Sequence, residues 1–143
     1  MAVASSSVSQ WAPGGRLHRT LLARLSSLKT AGFQKVALLW HQGESDLGGD
    51  PKAYTDSLRA LITSARAVFA DAPFYVATAT RCGKEPDARI AAAQRAAIDP
   101  RDNVLPGPDT DALGHAYRAD GCHFNVSGGH AAAALWLAAL LEQ

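Results

Sequence analysis

Apolar residues recur along this chain in two rhythms. Leu17, Leu21, Leu25 and Leu28 fall at helical spacing, which predicts an amphipathic helix ending near Gly32. Val36 to Trp40 is an unbroken apolar run after Lys35, and its length and flanks favour a buried strand. Asp50-Pro51 reads as a helix start, with Asp as N-cap and Pro in the first turn. Tyr54, Leu58, Leu61, Ile62, Ala65 and Phe69 then form one helical face. Phe74 to Thr78, rich in β-branched and aromatic residues, predicts a second buried strand. Pro86 to Ile98 is helical, with Ile90, Ala93 and Ala97 on one face, and Asn103 to Leu105 is a short strand. Ser127 or Asn125 caps a last helix that runs through Leu141. At the other end, Met1 to Ala4 reads as a short apolar strand cut close to its start, and Ser5 to Gly15 as a loop.

The expected strands are therefore 1–4, 35–41, 74–79 and 103–105, alternating with helices. That alternation predicts an α/β fold, a three-layer α/β/α sandwich around a parallel sheet. In such sheets chemistry gathers at the C-terminal ends of the strands. Three polar segments leave those ends: Ser5 to Gln10, His41 to Asp46 and Thr80 to Lys84. Asp120 to Asn125 enters the last helix beside the same edge.

Composition narrows the class. The chain has 143 residues, enough for one domain spanning 1–143 with a real core. It is 48% hydrophobic and 19% charged, the balance of a soluble globular protein. Fourteen basic and 13 acidic residues give a net charge of +1 with no long basic run, so no nucleic-acid partner is expected. The longest apolar stretch, Ala131 to Leu141, is a core helix and too short to span a membrane. Met1 to Gln10 lacks the pattern of a signal peptide, and the sequence leaves localisation open. Cys82 and Cys122 form no disulfide framework and no zinc site. The default reading is two free thiols; a bridge is the alternative, because both follow strand ends and can meet on one edge.

Two segments carry candidate chemistry. His41-Gln42-Gly43-Glu44-Ser45-Asp46 follows a buried strand. There a glutamine can aim its amide at a substrate oxygen, Gly43 permits a sharp turn, and Glu44 can anchor the loop on backbone N–H groups. An ordinary polar loop would read the same way. Asp120-Gly121-Cys122-His123 spaces a carboxylate and an imidazole by three, so that on a tight turn the carboxylate meets Nδ1 and leaves Nε2 as a base. A surface Asp beside a packing His is the plain alternative. A metal site is another, although no third ligand stands close in sequence. His18, His115 and His130 lack such partners and read as structural.

Residues 38 to 46, Leu-Leu-Trp-His-Gln-Gly-Glu-Ser-Asp, resemble the third sequence block of the SGNH hydrolases. More narrowly they are similar to the sialate O-acetylesterase and plant-type acetylxylan esterase group, where glutamine replaces the superfamily's usual asparagine. Residues 120 to 125, Asp-Gly-Cys-His-Phe-Asn, resemble the last block, Asp-x-x-His. Ala4 to Trp11 is similar to the group's small-residue loop followed by Trp, and Arg89 and Gln94 to a helix bearing an Arg and a Gln. The resemblance implies a flavodoxin-like fold and a carbohydrate O-acetylesterase that needs no cofactor and no metal. It implies that His123 is the general base, Asp120 its orienting acid and Gln42 an oxyanion donor. Gly43, Glu44, Ser5 and Ser6 would shape the oxyanion loops, and Trp11, Thr80 and Arg81 would line the neighbouring cleft, with Arg81 able to hold a sugar hydroxyl or carboxylate.

The chain departs from the group in two ways. Serine stands in the Ala4 to Val8 loop where the group has glycine. The nucleophile block, a Gly-x-Ser turn after a first strand, is missing, and Ser5, Ser6, Ser7 and Ser45 are poor substitutes. In that fold the first strand lies between the second and third. Its loss would remove about three large apolar side chains, at ~1.5–3 kcal/mol each, from a domain stable by only ~5–15 kcal/mol. The expectation is an N-terminally incomplete domain, completed by a missing segment or by a second chain, whose substrate is an acetylated carbohydrate. The alternative is a non-catalytic sugar-binding domain or an inactive fragment of such an esterase.

Overall fold

A computed structural model describes residues 1–83 and 85–142. Three strands, β1 (Leu38–Trp40), β2 (Phe74–Thr78) and β3 (Val104–Asp109), pair in parallel in that order. Five helices accompany them: α1 (Val8–Trp11), α2 (His18–Thr30), α3 (Pro51–Arg66), α4 (Ala88–Ala96) and α5 (Val126–Leu141). The α/β architecture is the one the alternation of patterns predicts.

Side-chain alternation along the strands sets the layers. Trp40, Phe74, Val76 and Val104 face a core closed by Tyr54, Leu58, Leu61 and Ile62 of α3, Ile90 and Ala93 of α4, and Val8 and Trp11 of α1. Tyr54 and Leu58 of the periodic face are almost wholly buried, as is Ala65 one turn beyond Leu61. On the opposite face, His41 lies against Phe124 and against Trp136 of α5, with ring centroids 5.9 and 6.3 Å away. Asp50 caps α3 through Lys52 N–H, and Asn125 rather than Ser127 caps α5 through Gly128 N–H.

The expected strand at 1–4 is not formed. A strand needs a neighbour to satisfy its backbone, and Met1 to Ala4 has none; it lies across a groove from β1. The loop expected at 5–15 contains the single-turn helix α1, which seats Val8 and Trp11 in the core. β3 runs four residues past the expected Leu105, through Pro106 and Pro108. Prolines argue against a central strand, but β3 lies at the sheet edge, where they are tolerated. Val104 bonds outward to Asp99, so Pro106 stands at the next outward-facing backbone position, where no N–H is needed.

The other edge is different. Leu38 N–H bonds inward to Pro73 C=O, so the backbone of Leu39 faces outward. Leu39 is 48% exposed, unusual in a parallel strand, which is normally covered on both faces. Only Gly128 and Ala132 of α5 are buried, and Leu137 and Leu141 are largely exposed. A groove of about 890 Å³ runs along this edge, between Met1 to Ser6, α2 and β1, and reaches His123.

Candidate active site

The Asp120 to His123 turn is built locally. Gly121 takes a positive φ of 80°, a conformation glycine adopts without Cβ strain. Asp120 Oδ1 accepts the backbone N–H groups of Cys122 (2.9 Å) and His123 (2.7 Å), closing the turn on itself. The second carboxylate oxygen, Oδ2, lies 2.7 Å from His123 Nδ1. An ionised carboxylate only accepts, so Nδ1 carries the proton and Nε2 of the neutral ring holds the lone pair. The imidazole and the two N–H groups hold the Asp120 carboxyl far below the usual carboxylate range. Asp120 in turn raises His123 above its ordinary value, first through the hydrogen bond and then through charge.

Gln42 lines the same groove as His123. Its Nε2 donates to Asp46 Oδ2 at 2.6 Å, and the same carboxylate oxygen accepts Val8 N–H at 2.9 Å. Asp46 thus joins the Gln42 loop to the start of α1 and directs one Gln42 N–H, leaving the second N–H of that amide. The Gln42 carbonyl is fixed from behind by Tyr54 Oη (2.6 Å) and Gln94 Nε2 (2.8 Å). Burial, helped by the nearby Asp46 and Glu44 carboxylates, pushes the Tyr54 phenol well above its ordinary value, against the hydrogen bonds from Trp40 and Gln94, so it stays a neutral donor. Glu44 folds back to accept Gly43 N–H at 3.0 Å.

Ser5 sits at φ 53°, the left-handed region that glycine favours. Ser6 is buried, donates to Val3 C=O and accepts Trp11 Nε1–H, so its hydroxyl is committed to the loop. Ser7 and Ser9 hydroxyls bond each other. Among the described residues, no serine hydroxyl hydrogen-bonds to the His123 imidazole. Trp11 borders the groove and meets Trp40 edge to face, with ring centroids 6.1 Å apart.

Three expectations need correction. Thr80 does not line the cleft: it is fully buried, gives its Oγ1 proton to Asp111 and accepts Asp87 N–H. Arg81 is drawn back onto the same residue, its Nε donating to Asp111 C=O and its N–H to Asp111 Oδ1. The fully buried Thr80 hydroxyl needs a partner, and Asp111 supplies one. Cys82 and Cys122 are joined in a disulfide, not free. The turn after β2 and the Asp120 to His123 turn meet at one sheet edge, where Gly83 N–H also bonds Gly121 C=O.

Two residues that pattern reading did not single out organise the site. Asp46 ends the Gln-Gly-Glu-Ser-Asp run, and its place in that run was the available signal. Arg118 stands two positions before Asp120, and no local pattern marks it. Among the described residues no group of acidic, His or Cys side chains is arranged to hold a metal ion, and no helix is long and apolar enough to cross a membrane.

A family model described as carbohydrate esterase, sialic acid-specific acetylesterase, matches residues 1–141. No individual curated protein matches the chain.

Proposed function

We propose, from the premise that the chain belongs to the sialic acid-specific acetylesterase family of carbohydrate esterases, that it removes O-acetyl groups from sugars by acyl transfer through a serine. The observation that carries this reading is the Asp120–His123 pair, 2.7 Å apart, opening on the groove that the Gln42 amide borders. In this mechanism His123 Nε2 takes the proton of the serine hydroxyl as its oxygen attacks the acetyl carbonyl. Asp120 holds the ring tautomer and offsets the imidazolium charge. The remaining Gln42 N–H and a backbone N–H of the Ser5 to Ser7 loop donate to the oxyanion. The imidazolium then protonates the departing sugar oxygen, and water, deprotonated by the same nitrogen, releases acetate and regenerates the serine.

The nucleophile is assigned to a partner strand. Leu39 presents an unpaired backbone edge to the groove. A strand in a packed sheet fills about 160 Å³ per residue, from its rise, its spacing and the distance between layers. The 890 Å³ groove therefore accepts about five or six residues, and a Gly-x-Ser turn following them would arrive beside His123. That strand comes from a further segment of the polypeptide or from a second chain.

The test is turnover of a chromogenic acetyl ester by the chain alone, by the chain with a peptide of six apolar residues followed by Gly-x-Ser, and by His123→Ala versions of both. Turnover and fluorophosphonate labelling of the peptide serine, both lost in His123→Ala, support the reading. Equal rates with and without the peptide, with labelling at Ser5, Ser6 or Ser7, overturn the assignment of the nucleophile. That no serine hydroxyl among the described residues bonds the imidazole favours a second reading, a sugar-binding domain without catalysis. Saturable binding of an acetylated sugar, with no turnover under either condition, would select it.

A further inference from the structure

We propose that Arg118 is the positioning residue of this site, its guanidinium fork fixing the Asp120–His123 turn to the loop after β2 and to the segment after β3. The inference rests on the reading of Asp120–His123 as the base pair of the site, and it deepens that reading.

Arg118 is 7% exposed, and its guanidinium donates to backbone carbonyls. Its Nε donates to Leu113 C=O (3.1 Å) and Nη2 to Thr110 C=O (3.0 Å), both beyond the end of β3. Nη1 donates to Arg81 C=O (3.1 Å), in the loop after β2, and to Cys122 C=O, inside the catalytic turn. The guanidinium also lies 4.6 Å from the centroid of the Phe124 ring, one residue past His123. Four of its five N–H groups are thus spent on three separate segments. Arginine presents its donors in a rigid planar fork, which a lysine ammonium cannot reproduce from a single point.

This arrangement is unlike a substrate subsite. Burial pushes the guanidinium down from its ordinary value, with Asp111 and Glu44 acting against that push through space. A buried cation with four of its five N–H groups on backbone oxygens has little left for a sugar carboxylate, but it sets where those oxygens stand. Cys122 C=O belongs to the residue between Gly121 and His123, so the fork determines where the imidazole sits. Arg118 N–H itself bonds His115 C=O, and Ala119 N–H bonds His123 C=O at 2.8 Å, so the turn is closed from both sides.

The test reads geometry rather than turnover, so it stays separate from the esterase assignment. The groups that act on His123 through charge are Asp120 and Glu44. Removing a nearby positive charge alone can only raise the His123 titration midpoint. Loosening the turn lowers it, because contact with Asp120 is what holds it up. The midpoint would be followed by NMR of the imidazole in the unmodified protein, Arg118→Lys and Arg118→Met, with the disulfide intact. The expected result is a downward shift in both variants, with Arg118→Lys resembling Arg118→Met. A midpoint that stays or rises, or an Arg118→Lys protein that titrates like the unmodified one, overturns the proposal. Should the variants not fold, hydrogen exchange of the unmodified protein decides. Ala119 and Gly83 amides should exchange as slowly as the β2 amides. Exchange at least 100-fold faster than β2 would mean that the turn opens independently of the fork, and would equally overturn it.

Discussion

Replacing Gln94 with leucine tests whether the Gln42 loop is held from inside the protein. Gln94 is fully buried, on α4. Its Oε1 accepts Ala79 N–H at 3.1 Å, and its Nε2 serves Gln42 C=O (2.8 Å), Ala79 C=O (3.2 Å) and Tyr54 Oη (3.3 Å). Leucine fills a similar volume but offers neither a donor nor an acceptor. Gln42 C=O would keep its bond from Tyr54 Oη. The Ala79 N–H and C=O, next to residues only 0–9% exposed, would lose the amide that satisfies both. Each stranded group costs ~1–3 kcal/mol, and the extra apolar burial returns about 1 kcal/mol. The expected net loss is about 1–5 kcal/mol, a large fraction of the stability of a domain this size. Urea unfolding followed by tryptophan fluorescence measures it, since Trp40 Nε1 bonds Tyr54 Oη within the same network. A midpoint unchanged, or a loss under 0.5 kcal/mol, would refute the claim that Gln94 is the internal strut of this loop. Gly43→Ala should be at least as damaging, because a Cβ there overlaps the Ala79 carbonyl oxygen and the Gln94 amide.

Asp120→Asn should lower the His123 titration midpoint toward its ordinary value of 6.5, since the carboxylate is the main cause of the rise. The sign of the stability effect follows by linkage. The share from the raised imidazole is present below 6.5 and fades as pH climbs through the raised value. The share from the depressed Asp120 carboxyl is present above 3.8 and fades as pH falls. Melting curves should therefore show a larger cost of Asp120→Asn at pH ~5.5 than at pH ~8.5, and a cost independent of pH would contradict the pairing. Reducing the Cys82–Cys122 bond, which closes a loop with a sequence separation of 40, should cost ~4 kcal/mol on the chain-entropy account. Chemical unfolding with and without dithiothreitol reads this, and coincident curves would argue against the bond.

The fold was legible where burial acts locally. Phe74 to Thr78 announces a strand because both of its faces are covered; Val36 to Trp40 has the same apolar run, although only Leu38–Trp40 pairs and Leu39 stays half exposed. Tyr54, Leu58, Leu61 and Ile62 announce a helix because one stripe is buried. Met1 to Ala4 has the composition of a strand and no strand beside it, and composition cannot report a neighbour. Pro106 and Pro108 concealed the length of β3, since only its place at the edge makes them harmless. The site divides in the same way. Asp120 and His123 meet across a four-residue turn that spacing alone suggests. Thr80 and Arg81 turn to Asp111, about thirty positions away, and Arg118 gathers four carbonyls from three stretches of chain; such partners leave no local pattern.

The two edges of the sheet have unequal chemistry, and this bounds how copies of the chain can associate. Beside β3, the Asp99 bridge and Pro106 remove the donors that another strand would need. Beside β1, the Leu39 backbone is available. A ribbon grows without limit only when every unit has two adhesive edges, and this unit has one. Two copies joined edge to edge through β1 would consume both open edges across a twofold axis. Self-association through the sheet therefore ends at a dimer, and any strand that occupies the groove competes directly with it.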